Sequence, residues 1–252
     1  MGNEDYEGAA DAGESRSSER AKLVCMRELA AQSDRMHWDE RITAHLLGGF
    51  GLPADTVLGF CWPYRNEYDA RAAVLGLSGE GVTSALPEVT GKREPLQFRK
   101  WWPDAPMRSG AYGIPVPEGT EVVVPDVLLV PMNGFDRRGF RLGYGGGYFD
   151  RTIAALERRV VSVGVAYELA RIDSIHPHAG DVAMDFVVTE AGIYVAGGAP
   201  LVEVDGAECR RCFAALLAAR RLPRASWGAG YSSPVCYAAE FPAYFGGGDR
   251  DA

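Results

Sequence analysis

The ten residues Arg141-Leu-Gly-Tyr-Gly-Gly-Gly-Tyr-Phe-Asp150 set a glycine-rich turn between an arginine and an aspartate, a composition suited to phosphate. The apolar run Val127-Leu-Leu-Val130 precedes the turn and the helix-like Thr152-Ile-Ala-Ala-Leu-Glu157 follows it. The turn is therefore expected on the way from a strand into a helix, where free backbone N–H groups and the helix dipole favour anions. Arg141 and Arg151 flank it with permanent positive charge suited to phosphate oxygens. Asp150 offers a hard oxygen ligand to a magnesium ion carried by a nucleotide; taken alone, it also reads as a helix N-terminal charge complementing the dipole. The spacing is not that of a Walker A loop, because no Lys-Ser/Thr pair follows the glycines. Nor is it the dinucleotide fingerprint, since Tyr148 stands where the third glycine belongs.

The elements that must position this turn are legible in outline. Helix-like patterning runs from near Glu19 to Leu29 and again from Asp39 to Leu47. Val57 to Trp62 reads as a buried strand ending at Pro63, Asp69 to Leu77 as a helix, and Val82 to Leu86 as a short strand stopped by Pro87. Leu96 to Trp101 alternates like a strand with one solvated face. Val127 to Val130, Val160 to Val165 and Phe186 to Thr189 read as strands, with a helix from Tyr148 to Arg158 between the first two. Alternating strands and helices imply a three-layer α/β/α fold on a largely parallel sheet. Ligands of such sheets sit beyond the carboxyl ends of the strands, where the loop 131–147 falls.

Composition narrows the partners. With 252 residues, 47% hydrophobic and 24% charged, the chain can bury one sizeable core. The net charge of -8 disfavours an extended nucleic-acid surface and leaves a nucleotide or other small anion as the better partner. No apolar stretch is long enough to span a bilayer and the N-terminus lacks signal-peptide character, so a cytoplasmic protein is expected. Cys25, Cys61, Cys209, Cys212 and Cys236 are odd in number and scattered, unlike a disulfide framework. Cys209-Arg-Arg-Cys212 has metal or redox spacing but stands alone and reads as part of a reduced surface helix. Three parts are expected: a disordered acidic tail over 1–18, an α/β domain over 19–196, and a C-terminal helix (Ala207 to Arg221) with a Gly/Pro/aromatic tail over 197–252.

The segment from Pro125-Asp-Val-Leu-Leu-Val-Pro131 through Phe135-Asp-Arg-Arg-Gly139 to Arg151 resembles the signature of the 5-formyltetrahydrofolate cyclo-ligase family, also called 5,10-methenyltetrahydrofolate synthetase. The resemblance extends to Trp62-Pro-Tyr-Arg-Asn-Glu67, Gly113-Ile-Pro-Val-Pro117 and Gly180-Asp-Val-Ala-Met-Asp-Phe-Val-Val-Thr-Glu190, in the family's order. It implies a monomeric enzyme that converts 5-formyltetrahydrofolate and ATP, with Mg²⁺, to 5,10-methenyltetrahydrofolate, ADP and phosphate. It further implies that Gly143, Tyr144, Gly145, Gly146 and Gly147 cradle phosphate, with Arg141 and Arg151 beside them. Asp150 and Asp181 match the family's magnesium-associated aspartates, although Asp181 alone would read as a turn residue after Gly180. Glu67 matches a glutamate near the folate's reacting end; Tyr112, Tyr148 and Phe149 match aromatics against the pterin and formyl group, each also readable as core. Tyr144 and Gly146 stand where many members carry Arg and Lys, so positive charge is expected from Arg141, Arg151 and the first helix, through Arg16, Arg20 and Arg27. His176 and His178 are too few for a metal site or a triad. The Ser232-Ser-Pro-Val-Cys236 tail lies outside the family core. With the altered first helix, it leaves a second expectation: a diverged member that binds folate or nucleotide without turnover, or acts on another N-formyl substrate.

Overall fold

Strand and helix alternate through the middle of the chain, and the computed structural model resolves this pattern into one nine-stranded sheet covered on both faces. It describes residues 4–196 and 200–219, with side chains from residue 15 onward. Two helices lead: α1 (Glu4–Leu29) and α2 (Gln32–Gly49). Then come β1 (Val57–Gly59), α3 (Arg71–Leu77), β2 (Thr83–Glu88) and β3 (Gln97–Trp101). A small hairpin-like pair, β4 (Met107–Ser109) and β5 (Pro115–Pro117), precedes β6 (Val122–Val123) and β7 (Val127–Pro131). The site loop contributes β8 (Gly134–Phe135), β9 (Arg141–Leu142) and α4 (Tyr148–Ala155). The chain continues with β10 (Val161–Val165), β11 (Phe186–Val188), β12 (Ile193–Val195), β13 (Val202–Val204) and α5 (Gly206–Ala219).

The sheet order is β13-β12-β11-β10-β7-β1-β2-β3-β6. The five central strands, β11 to β2, run parallel, and antiparallel strands close both edges. Buried on both faces, β7 is an unbroken apolar run whose side chains divide by parity, and β10 is broken only by Ser162, which bonds to Asp185. Val127 and Leu129 join the core shared with α2, α3 and α5, whereas Leu128 and Val130 join the core shared with Ile153 of α4. The three-layer α/β/α arrangement is thus the observed one. The chain leaves β1 toward β2 on one side and later returns to place β7 on the other, so the sheet's switch point lies between β1 and β7.

Several expectations change in detail. α1 begins at Glu4, within the stretch read as a disordered tail, and from Arg16 onward its side chains bond to the rest of the molecule. β2 runs through Pro87 to Glu88 because only its first three residues pair with β1; beyond them the proline's missing N–H removes nothing from that ladder. Cys209 and Cys212 are buried against the sheet rather than on a surface, so the spacing reflects one apolar helix face. The described cysteines are free thiols. Residues 220–252, including Ser232 to Cys236, lie outside the described residues. Among the described residues, no helix is long and apolar enough to cross a membrane.

Candidate active site

The glycine turn is built as a strand-to-helix connection whose backbone only glycine tolerates easily. β8 and β9 pair antiparallel, and Asn133 N donates to Leu142 O at 2.8 Å, which fixes where the turn leaves the sheet. Gly145 (φ 90°) and Gly147 (φ 62°) then take left-handed conformations, the second immediately before α4. The turn itself is open to solvent from Tyr144 to Gly146.

Two arginines of α1, Arg20 and Arg27, meet this turn, and a third, Arg16, meets Asp181. Positions 16, 20, 23 and 27 lie on one helical face, and Leu23 on that face is buried with Leu142 and Ile175. Arg20 Nε donates to Gly143 O at 2.5 Å, and the Gly145 Cα faces the same guanidinium closely enough that a Cβ there would lie 3.5 Å from it. Burial disfavours the charge of Arg20 and neighbouring Arg16 adds to that, lowering its pKa. Arg16 holds Asp181 with two hydrogen bonds of 2.7 and 3.2 Å. Burial alone would raise the Asp181 pKa, but the Arg16 hydrogen bonds and the His178 backbone N–H outweigh it and hold the carboxyl below the ordinary range. On the opposite side, Arg151 bonds to Gly146 O and lies 5.3 Å from the Tyr148 ring centroid.

Arg141 is spent differently. Its guanidinium is buried, 3.0 Å from Asp150 Oδ2 and 3.3 Å from Val182 O, while Asp150 Oδ1 accepts from Val182 N at 3.2 Å. Burial works against the Arg141 charge, and Asp150 works for it. Asp150 and Asp181, distant in sequence, are thereby joined through Arg141 and Val182 into one corner.

Glu67 sits across the cleft, after β1. Arg65 (φ 50°) and Asn66 (φ 58°) are successive left-handed residues that turn the chain so that Glu67 Oε2 accepts from Tyr64 N at 3.0 Å. Tyr144, from the glycine turn, reaches Glu67 Oε1 at 3.1 Å, and Arg27 Nη2 approaches the same oxygen at 4.0 Å. Burial raises the Glu67 pKa, and Arg27, the Tyr64 N–H and the Tyr144 hydroxyl offset it only in part. Arg27, 5% exposed, also donates to Arg65 O, Asn133 Oδ1 and Tyr144 OH at 2.9, 2.9 and 2.8 Å. Glu67, Arg27 and Asn133 line a cleft with Met132, Val165 and Tyr167 at the carboxyl ends of β7 and β10, beside the switch point.

The structure therefore brings together most of the residues singled out from sequence. Arg20 and Arg151 bond to the backbone of the glycine turn, Arg16 joins Asp181 and Asp150 at its inner corner, and Glu67 with Tyr144 face the adjoining cleft. Tyr112 stands apart: it is 71% exposed and left-handed (φ 59°), and its phenol, near that of Tyr148, raises the Tyr148 pKa. Phe149 packs against the α4 side of the core, with the Arg141 guanidinium 5.7 Å from its ring. His178 serves as a neighbour of Asp181, at 3.3 Å. Arg27 proves more central than a generic cation, and the 16/20/23/27 stripe was the available signal. Asn133 had no such signal, because its role depends on what α1 brings to it.

Comparison with known proteins agrees with this arrangement. The family model for the 5-formyltetrahydrofolate cyclo-ligase family matches residues 12–190. A 5-formyltetrahydrofolate cyclo-ligase of Haemophilus influenzae is 26% identical over 172 residues, spanning 66% of this chain and 88% of that protein. The protein of the same name from Mycolicibacterium smegmatis is 32% identical over 154 residues, 57% of this chain and 77% of its own. Among solved structures, 5,10-methenyltetrahydrofolate synthetase of Aquifex aeolicus superposes with a TM-score of 0.60 at 28% identity, covering 75% of this chain and 96% of that one. The Mycoplasma pneumoniae 5,10-methenyltetrahydrofolate synthetase shares the fold, with a TM-score of 0.56 at 21% identity over 69% of this chain and 98% of that one. With a matched region that takes in α1 from residue 12, the Glu67 turn, the glycine turn and Asp181, the chain belongs to the 5-formyltetrahydrofolate cyclo-ligase family.

Proposed function

We propose that the protein converts 5-formyltetrahydrofolate to 5,10-methenyltetrahydrofolate at the expense of ATP. An amide oxygen is a poor leaving group, and the reaction needs it to leave. The formyl oxygen therefore attacks the γ-phosphorus and displaces ADP; N10 attacks the resulting iminium-like carbon; the C–O bond breaks to release phosphate, and N10 loses its proton. Such a site works by positioning and electrostatics rather than by an acid/base dyad.

The observation that carries this reading is the convergence of Arg20, Arg27 and Arg151 on the glycine turn, with Arg16 on Asp181 beside it, next to a cleft containing Glu67. The turn and its arginines would hold the triphosphate, and the cleft would hold the pterin end of the folate, so that formyl oxygen and γ-phosphate meet between them. Arg141 keeps Asp150 in place, and Tyr144 turns its hydroxyl to Glu67 and Arg27, away from any phosphate role of its own.

Among the described residues, no group of three or more His, Cys, Asp or Glu could cage a metal. Magnesium characteristically keeps waters and binds through one or two carboxylates plus substrate phosphates. Asp150, the more open of the two at 21% side-chain exposure against 7%, would meet a cation that arrives on the nucleotide; Asp181 would join it only by giving up one of its two Arg16 hydrogen bonds. Bound there, magnesium would neutralise charge on the transferring phosphoryl group.

The test is an assay of the purified protein with 5-formyltetrahydrofolate, Mg²⁺ and ATP, following methenyltetrahydrofolate by absorbance. Product that depends on ATP is expected. Folate binding without any ATP-dependent product would overturn the proposal in favour of a binding protein.

A further inference from the structure

Asn133 enters the cleft just beyond β7, 2% exposed, and chemistry dictates how its amide is turned. A guanidinium carries donors only, so the atom 2.9 Å from Arg27 Nη1 must be the carbonyl oxygen Oδ1. The NH₂ group is then committed to the other direction. It is buried and meets no acceptor among the described residues, although buried donors are as a rule paired. Glu67 lines the same cleft, and Arg27 Nη2 lies 4.0 Å from its Oε1. One guanidinium thus holds both an unused donor and a carboxylate acceptor against a wall that is otherwise largely apolar, with Leu23, Met132, Ala166 and Leu169.

We infer that Asn133 Nδ2 donates a hydrogen bond to a carbonyl oxygen of the folate, which makes Asn133 a substrate-recognition residue; the inference rests on the function proposed above. At its reacting end the folate offers two such oxygens, the ring carbonyl of the pterin and the N5-formyl oxygen; the benzoyl amide carbonyl lies farther along the molecule. A ligand presenting a donor or an apolar edge there would leave the amide buried and unpaired, so the residue selects as well as binds.

Two variants test this. Asn133→Asp keeps the oxygen that serves Arg27 and replaces the donor with an acceptor; Asn133→Leu removes both polar atoms at similar volume. Titration with 5-formyltetrahydrofolate in the absence of ATP should show affinity reduced by about tenfold or more in both, a tenfold loss being about 1.4 kcal/mol. The KM for this folate should rise by a similar factor while the KM for ATP stays within about twofold. Titration with 5-methyltetrahydrofolate, which lacks the formyl oxygen, separates the two sources. A loss for both folates assigns a carbonyl common to the two, a loss confined to the formyl compound assigns the formyl oxygen, and either supports the inference. Thermal melting guards against a merely structural role: Asn133→Asp keeps the oxygen that serves Arg27 but sets a second carboxylate near Glu67, so the affinity loss is read in variants that are fully folded at the assay temperature and keep the parental KM for ATP. A folded Asn133→Asp protein with parental folate affinity would overturn the inference and leave the proposed function standing. A parent protein that binds neither folate would overturn both.

Discussion

Each carboxylate of the site is defined by the cation beside it. Asp150 looks like an available metal ligand from its place in the first helical turn, but its Oδ2 lies 3.0 Å from a buried Arg141. Truncation to alanine would strand that guanidinium, and an unpaired buried charge costs about 3–5 kcal/mol. Asp150→Asn is the milder probe: its one amide oxygen can accept from Val182 N or from Arg141 but not from both, so a melting curve accompanies its kinetics. We expect its turnover to fall by about a hundredfold through weaker transition-state charge stabilisation, with the folate KM little changed. Steady-state kinetics over a magnesium series checks this, and a parental rate would remove Asp150 from the nucleotide site. The residue types Arg141, Asp150 and Glu67 were readable as chemistry in the sequence. That Arg141 serves Asp150 was not, because partner choice depends on which side chains are buried together.

At the scale of elements, α1 determines whether the site is closed. Its stripe of Arg16, Arg20, Leu23 and Arg27 has helical period, yet the acidic, small-residue sequence before it has the low hydrophobicity of a disordered segment, so the true start at Glu4 was not legible. The docked face relies on few apolar contacts and several ion-paired ones. Acid should therefore loosen it. The Asp181 carboxyl is held below its ordinary pKa, so the folded state favours its charged form; that stabilisation is fully present above the ordinary value of about 4 and is lost as pH falls through the lower, folded value. Between about pH 5 and pH 3, the Tm of the parent should fall toward that of Asp181→Asn, the gap being widest at the upper end. A gap that stays constant across this window would mean the Arg16–Asp181 pair contributes nothing to docking.

Across the whole molecule, site and support are separated by the sheet's geometry. Both edges of the parallel centre are finished by antiparallel strands, and α5 packs on the face shared with α2 and α3. Within that layer Phe213, 1% exposed, meets Phe50 edge-on with ring centroids 5.1 Å apart and lies 6.1 Å from Phe186. Phe213→Ala should cost about 3–5 kcal/mol through lost burial and the cavity left behind. That lowers the Tm by roughly 10 °C in a domain of this size, and both substrate KM values should stay at parental levels. Changed KM values with an unchanged Tm would contradict this division between scaffold and site. By itself the sequence determined the parallel sheet's central strands, the glycine turn and the acidic and cationic residues around it, because these depend on local period, glycine backbone freedom and residue chemistry. Only the tertiary structure decided that α5 packs against α2 in the core, that α1 lays three arginines on the site, and that Asn133 keeps a buried donor unpaired among the described residues. Such facts depend on contacts between residues more than a hundred positions apart, whose pairing and burial no local pattern encodes.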